Sequence, residues 1–518
     1  MSCSDLLNDT AHRHPQRPAL LSGAVRLSYA ELHARATRCA AGLLQQLAAQ
    51  GAGPGARIGI LMRNRWEYVV ALFAIARAGC VAVHLPARFA QGELDYALQK
   101  IPLQMLLLDA GLPLQAPGQT GLVRVPAEAG ADPGAGFSAL LGCKEKLPAI
   151  PAVKADTAGA IMFTSGTTGR PKGAIQPVDG RDLSVRIAQS DFHLNERDVL
   201  AVASPLYHAA GLTTWYQCGV LAGACAVLMP AWDPAQFMRD CRSLGITAAF
   251  AVPTQLMQLL HHAEFDPAPL ASLRLVVFGG APCEPHQIEA LEAALPQVRF
   301  VQNYGQTETG PLFSQDHADR LQNRVAIGRP NPLAEIRLMA EPGREAAVGE
   351  VGELVTRGAH LMLGYFDDPV PTAEFFRYGD GWGATGDLAV RDARGYITLA
   401  GRSRDIIIAG AVNIYPAEIE RIVRTHAAVE DCAAFGVKDA IWGELPVVAV
   451  VCRSAATAGG VQASQLAAEI TALFEGKEIG RHKRPRAVHV VESLPYTPAG
   501  KLLRGALRER FPVLTGAE

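Results

Sequence analysis

The sequence predicts an α/β protein of more than one domain, built on parallel sheets covered by helices on both faces, with a smaller α+β region at its C-terminal end. Three observations carry this. At 518 residues the chain exceeds the length at which one hydrophobic core keeps growing. Apolar residues make up 49% and charged residues 19%, an ordinary globular composition that argues against disorder. Short unbroken apolar runs, each ending in Gly, Pro or a polar loop, alternate with helix-like stretches. Strands that are apolar throughout are buried on both faces, as in parallel sheets.

Taken in order, the apolar runs are Arg57–Met62, Met105–Leu108, Ala158–Phe163, Val199–Ala203, Cys225–Met229, Ala248–Val252 and Leu273–Phe278. Helical patterns cover Ala235–Leu244 and Glu284–Leu295. The most apolar helical stretch, Tyr68 to Leu85, is broken by Arg77 and Gly79. It is short for a membrane span of about 20 residues and reads as a buried helix running into a strand. The Gly-, Pro- and Ala-rich segment Ala129–Asp156 reads as a surface connection. From Val351 the pattern turns to short strands and tight turns, with a hairpin-type turn at Asp392-Ala393-Arg394-Gly395. Beyond Gly401-Arg402 follows a compact α+β pattern: a helix near Pro416–Thr425, strands near Val429–Val437 and Val447–Val451, a helix near Ala463–Glu475 and a strand near Arg486–Val491. The domain boundary is therefore expected at Arg402–Asp405, giving domains 1–402 and 403–518.

The formal net charge of -2 gives no general attraction to nucleic acid or to an anionic membrane. Ten cysteines run from Cys3 to Cys452 without a CxxC pair, so neither a zinc site nor a disulfide framework is indicated. Buried thiols in a reducing cytoplasm are the expectation. Met1-Ser2-Cys3-Ser4-Asp5 lacks the basic-then-apolar pattern of a signal peptide.

The chemistry starts at Ile161-Met162-Phe163-Thr164-Ser165-Gly166-Thr167-Thr168-Gly169-Arg170-Pro171-Lys172-Gly173. An apolar strand runs into glycines that let backbone N–H groups approach an anion. Hydroxyls add donors and Lys172 adds a point charge, which together make a phosphate cradle. The Gly-Lys-Ser/Thr ending of a Walker A loop is absent. Ligands of parallel α/β sheets sit beyond the C-terminal ends of strands, where this loop falls. Further along come Phe278-Gly279-Gly280-Ala281-Pro282, whose glycines permit close approach of a flat ligand, and Tyr304-Gly305-Gln306-Thr307-Glu308-Thr309-Gly310. The latter offers a ring to stack on a purine, a phosphate donor and a magnesium ligand. Thr385-Gly386-Asp387-Leu388 offers a carboxylate for a ribose diol, and Arg402 follows in Gly401-Arg402-Ser403-Arg404-Asp405. Leu494-Pro495-Tyr496-Thr497-Pro498-Ala499-Gly500-Lys501 presents one lysine on a rigid loop. Singly, each block has a structural alternative: a turn, a helix cap, a surface ion pair, a solvated lysine.

Together and in this order, the blocks resemble the acyl-adenylate-forming superfamily of acyl-CoA synthetases, peptide-synthetase adenylation domains and luciferases, over nearly the whole chain. The resemblance implies a large N-terminal domain of stacked mixed and parallel sheets with helices plus a distorted β-barrel, followed by a small mobile α+β domain. It implies that Thr164, Ser165, Gly166, Thr167, Thr168, Gly169 and Lys172 embrace the phosphates of ATP. Gly279, Gly280 and Tyr304 would hold the adenine, with Ala281, Pro282, Asn303 and Gly305 also binding the nucleotide. Thr307 would meet the α-phosphate, Glu308 would bind Mg2+, and Asp387 and Arg402 would bind ribose. Lys501 would be the catalytic lysine of the C-terminal domain, with Arg404 as the pivot. Pro205-Leu206-Tyr207-His208-Ala209-Ala210-Gly211 resembles the acyl-site block. There His208 would position and gate the acyl carboxylate and the thiol, and Tyr207, Ala209, Ala210, Phe250, Asn303, Thr309 and Gly310 would form the wall. With no Lys or Arg in that wall, a second carboxylate on the substrate is disfavoured, and an aromatic, cyclic or medium-length apolar acid fits.

Two departures stand out. The loop Ala409-Gly410-Ala411-Val412, beside the expected CoA tunnel, has Ala411 where a second glycine is usual, and Gln176-Pro177-Val178 replaces a polar Thr-His or similar pair. The implied activity is a stand-alone ligase for a carboxylic acid with ATP, Mg2+ and coenzyme A, in the cytoplasm, without nucleic acid or a membrane span, and with a homodimer allowed. A carrier-protein thiol is the alternative acceptor; with no carrier domain before the end at Glu518, it would have to come in trans. A luciferase-like oxidase or a catalytically silent relative are further alternatives, and retention of Lys501 and Glu308 speaks against the last.

Overall fold

A computed structural model describes all residues except 1–2, 120, 127–135, 150–153, 155, 165–169, 282, 284, 410–411, 440–441, 454–462, 476–482, 497–501 and 513–518. The chain packs as two compact units, Met1–Ile336 with Thr356–Thr385, and Arg337–Val355 with Gly386–Glu518.

The first unit holds two large sheets. In the seven-stranded sheet the strands run in the order Gly364–Tyr365, Lys172–Pro177, Ala158–Thr164, Val81–His84, Arg57–Leu61, Met105–Asp109, Leu122–Val125. Those from Ala158–Thr164 onward are mutually parallel, and the first two are antiparallel additions at one edge. The nine-stranded sheet has a parallel centre of Arg299–Gln306, Leu275–Gly279, Ala248–Ala251, Val199–Val202, Cys225–Leu228 and Pro18–Ser22, with antiparallel strands at both ends. Every residue of Val81–His84, Met105–Asp109 and Ala248–Ala251 is buried, which is why these strands read as continuous apolar runs.

One core joins the two sheets. Ile58 and Ile60 from one, and Leu200 and Ala226 from the other, pack with the apolar faces of helices Tyr29–Ala48, Trp66–Arg77 and Val178–Phe192. The Tyr68–Leu85 stretch is the expected helix and strand, Trp66–Arg77 and Val81–His84. Ser28 opens the first of these helices with a capping box: Glu31 N donates to its Oγ at 3.2 Å, and Ser28 N donates to Glu31 Oε2 at 2.7 Å. The expected surface connection at Ala129–Asp156 needs correction, because Phe137–Leu141 is a short helix with Phe137 and Leu140 in the core. It docks where Gly42 has no side chain, and a Cβ there would lie 2.7 Å from Leu140 O. Among the described residues no helix is long and apolar enough to cross a membrane.

The second unit carries most of a five-stranded sheet ordered Arg344–Glu345, Glu335–Glu341, Val351–Arg357, Gly383–Arg391, Ile397–Arg402. Among the described residues no pairing joins its edge strands. Its C-terminal part packs helices Pro416–Val423 and Ala463–Ala472 on a sheet centred on the long antiparallel pair Val429–Asp439 and Gly443–Cys452.

Candidate active site

Strand Ala158–Thr164 delivers Thr164 to the C-terminal edge of its sheet, and the antiparallel return strand starts at Lys172, directly opposite Thr164. The two residues that flank the expected phosphate loop are thus fixed in register. Ser165, Gly166, Thr167, Thr168 and Gly169 lie outside the described residues.

The return strand also organises the Thr307-Glu308 turn. Buried Gln176 donates from Nε2 to Thr307 O at 2.9 Å, which gives this sequence departure a structural task. Met362 N donates to Glu308 O at 2.9 Å, and the Tyr365 hydroxyl donates to Glu308 Oε1 at 2.8 Å. Tyr365 is held there because Gly364–Tyr365 pairs with the same return strand. Lys172 Nζ lies 5.2 Å from the centre of the Tyr365 ring. Burial, and then the Glu308 charge, push the Tyr365 phenol up, so it stays a donor. Lys172, Tyr365 and Glu308 thus form one connected group beside the phosphate loop. With Oε1 committed to Tyr365, Glu308 offers Oε2 to a cation. A single carboxylate suits Mg2+, which keeps several waters and phosphate oxygens rather than a protein cage. Tyr365→Phe is expected to cost roughly tenfold in adenylation at limiting Mg2+, with the loss recovered at saturating Mg2+, as a magnesium titration of pyrophosphate release would read.

At the expected adenine pocket the two glycines differ. A Cβ on Gly279 would lie 2.2 Å from Asn303 O on the neighbouring strand, so the closeness that Gly279 permits is taken by the sheet itself. Gly280, at φ +81, has only Val252 Cγ1 at 3.8 Å and leaves room for a flat ligand. Ala281 follows it; Pro282 lies outside the described residues. The Tyr304 ring stands edge-on to Phe313 at 5.7 Å. A Cβ on Gly305 would meet Gly310 O at 2.2 Å, so the hairpin closes only with glycine there.

Two wall assignments change. Asn303 Nδ2 donates to Phe313 O and Ser314 Oγ, each at 3.1 Å, which leaves its carbonyl oxygen alone for a ligand. Thr309 is fully buried, and its hydroxyl accepts from Gln306 N at 3.2 Å and donates to Gly310 O at 3.0 Å. It belongs to the framework of the turn rather than to an acyl wall. Gly310, at φ +66, abuts Ser184, whose Oγ would lie 2.5 Å from a Cβ. Phe250 is buried and packs on Trp215 at 6.2 Å. Tyr207 is buried with its ring 4.7 Å from that of His208, while His208, Ala209 and Ala210 keep partial exposure. The segment Ala210–Gln217 is a π-helix, a form that recurs at functional sites. It nests on the preceding strand end because Gly211 has no Cβ to meet Pro205 O, which would be 2.4 Å away.

In the second unit, Asp387 and Arg402 face each other across paired strands. Arg402 Nε donates to Asp387 Oδ1 at 2.9 Å, with the carboxylate nearly enclosed and the guanidinium more than a third exposed. The expected ribose ligands are thus bonded to one another. Arg404 sits in the one-turn helix Ser403–Asp405. Gly410, Ala411 and Lys501 lie outside the described residues. The base of the Lys501 loop is pinned by a bridge between Tyr496 and Leu502 and by Leu503 N donating to Pro495 O at 2.8 Å. Behind it, Arg504 donates to Glu420 Oε1 at 2.5 Å, to Ala434 O at 3.0 Å and to Asp405 Oδ2 at 3.4 Å.

The family model described as AMP-binding enzyme matches residues 7–366, and that described as AMP-binding enzyme C-terminal domain matches residues 418–501. The chain belongs to the AMP-binding enzymes. It is similar to a feruloyl-CoA synthase of Amycolatopsis sp, 34% identical over 509 residues and 97% of each chain. Among solved structures it is similar to ATP-bound MatB from Rhodopseudomonas palustris, at TM-score 0.85 and 27% identity over 99% of both chains. It also resembles the o-succinylbenzoate CoA synthetase of Bacillus subtilis in complex with the acyl-adenylate intermediate OSB-AMP, at TM-score 0.81 and 27% identity over 97% of both. In this AMP-binding enzyme the sequence marks Gln176 only as a departure without a role, and gives no signal for Tyr365, Glu420 or Arg504. A lone Tyr, Gln, Glu or Arg carries no spacing signal, and only the fold shows what each one holds.

Proposed function

We propose that this AMP-binding enzyme is an acid–CoA ligase that forms AMP, acting on an aryl, cyclic or medium-chain carboxylic acid. The observation that carries the reading is the Lys172–Tyr365–Glu308 group beside the phosphate loop. It puts a cation and a carboxylate at one strand end, the pair of charges that a magnesium nucleotide needs. The CoA ligases among its relatives support coenzyme A over a carrier protein as the thiol donor.

In the first half-reaction a carboxylate oxygen bonds to the α-phosphorus of ATP, the bond to the β-phosphate oxygen breaks, and pyrophosphate leaves. Thr164, the hydroxyls of Ser165, Thr167 and Thr168, and Lys172 would hold the leaving phosphates, with Thr307 at the α-phosphate. Mg2+ held through Glu308 would add positive charge where the phosphate oxygens gather it. Lys501 would add charge at the transferring phosphoryl group. Asp387, paired with Arg402 through Oδ1, would take the ribose diol. In the second half-reaction the CoA sulfur, losing its proton, bonds to the acyl carbon and AMP departs. His208 would gate that approach, and Gly410 and Ala411 would border the thiol tunnel.

Arg404 would be the pivot whose backbone absorbs a change between the two halves. Arg404→Pro, which fixes φ, is expected to lower thioester formation about 10²-fold while adenylation stays within a few-fold. Single-turnover assays of each half read this directly, and equal losses would remove the pivot. The substrate class is tested by pyrophosphate release over a panel of acids. Turnover with aryl or cyclic acids supports the reading, and turnover with acetate or malonate alone would overturn it.

A further inference from the structure

Arg181, on the helix Val178–Phe192, is 6% exposed, and neither its Nε nor its Nη2 has a hydrogen-bond partner among the described residues. The ionisable groups that act on it are Cys3 and Tyr68, a thiol and a phenol, neither of them a counterion at neutral pH. Burial pushes both upward, so both stay neutral. An unpaired buried guanidinium costs several kcal/mol, so one kept in a native fold calls for an explanation, such as a functional role or a partner from outside the chain.

The neighbours of Arg181 are also short of acceptors. The Tyr68 hydroxyl lies 2.6 Å from His84 Nδ1, and His84 Nε2 is buried without a partner among the described residues. Burial, followed by the Arg181 charge, holds His84 well below its usual range and therefore neutral. With the phenol donating to Nδ1, Nε2 carries the ring hydrogen and is a second unmatched donor. The Tyr216 hydroxyl, within electrostatic reach of Cys3, is a further buried polar atom without a partner among the described residues.

The cluster sits close to the chemistry. His84 ends its strand and pairs with Met162 in the strand that ends at Thr164. Tyr68 lies within electrostatic reach of Tyr207, whose ring packs against that of His208. Tyr216 lies in the π-helix that starts at Ala210.

We propose that Arg181, with His84 Nε2, receives an oxygen acceptor at the end of the acyl substrate remote from its reacting carboxylate. The substrate is then an aryl or cyclic acid bearing a second carboxylate or a keto group. This rests on the acid–CoA ligase reading above and deepens it. It also revises the expectation drawn from the wall residues alone, which contained no Arg or Lys.

The test uses matched acids: cinnamate against 4-carboxycinnamate, and 3-cyclohexylpropanoate against 3-(4-oxocyclohexyl)propanoate. The readout is kcat/KM for pyrophosphate release with ATP, Mg2+ and CoA. The wild-type chain should favour the oxygen-bearing member of at least one pair by ~10-fold or more, because a site built to hydrogen-bond a group rejects the analogue that lacks it. Arg181→Met should bring that ratio to within about twofold, and Arg181→Lys should keep part of it. A lowered unfolding temperature in Arg181→Met with an unchanged ratio would make Arg181 structural only and overturn the proposal. If the Met variant does not fold, the wild-type ratios decide, and a preference for the plain member of both pairs overturns it. Plain acids turned over without discrimination would sink this inference and leave the ligase standing, whereas no pyrophosphate release with any acid would sink the ligase reading itself.

Discussion

Lys501→Ala is expected to lower adenylation by ~10²–10³-fold, the usual loss when a well-aimed electrostatic partner is removed from a developing charge. Thioester formation from supplied acyl-adenylate should stay near the wild-type rate. The asymmetry follows from where charge builds. In the first half-reaction negative charge spreads over the carboxylate, the transferring phosphorus and the leaving oxygens. In the second, an already activated acyl group passes to a sulfur nucleophile, the acyl–oxygen bond breaks, and the new charge falls on the departing AMP oxygen rather than on pyrophosphate. The loop carrying Lys501 is closed at its base by the Tyr496–Leu502 bridge, a backbone pairing that the alanine variant leaves in place. Pyrophosphate release from acid plus ATP reads the first half, and AMP release from supplied acyl-adenylate plus CoA reads the second. Intact adenylation in the variant would remove Lys501 from the mechanism.

Arg504→Ala is expected to cost about 3 kcal/mol of stability in the second unit, because it strips a nearly enclosed carboxylate of its nearer cation and leaves Arg424 Nη1 at 3.8 Å from Glu420 Oε2. The Glu420 side chain is 6% exposed and that of Arg504 18%. Ala434 N also donates to Glu420 Oε1 at 2.9 Å, so the carboxylate cannot swing out to water without breaking a sheet contact. Replacing both partners, as in Arg504→Met with Glu420→Gln, removes the unpaired charge and keeps an acceptor for Ala434 N. That double variant should regain most of the loss. Thermal unfolding of the full chain measures both. Because helix Arg504–Arg510 begins directly after the Lys501 loop, the single variant should also lose adenylation well below its unfolding temperature. A single variant as stable as wild type would show that Arg504 is not holding this helix in place.

What could be read in the sequence was what recurs locally. Strands such as Val199–Val202 and Leu275–Gly279 announce themselves because both faces are buried and every residue is apolar. The phosphate loop and the Thr307-Glu308 turn announce themselves because glycines and hydroxyls are gathered in short order. The contacts that make those blocks into a site are long-range: Gln176 reaches Thr307 across 131 residues and Tyr365 reaches Glu308 across 57. The resemblance puts Thr309 on the acyl wall by position, yet a tight turn needs its hydroxyl to satisfy backbone groups, and the hairpin consumes it. Phe137–Leu141 was hidden because a single helical turn amid Gly, Pro and Ala has no periodicity to detect. Arg181 gave no signal as one arginine on a polar helix, and only its burial without a counterion marks it.

The measurement closest to the central claim is pyrophosphate and AMP release with ATP, Mg2+ and an aryl- or cyclic-acid panel, run with and without CoA. An acid–CoA ligase should turn over continuously only with CoA, releasing pyrophosphate, AMP and acyl-CoA in equal amounts, and should give at most a single burst of pyrophosphate without it. A burst that CoA never converts into turnover, or no pyrophosphate with any acid, would contradict the account.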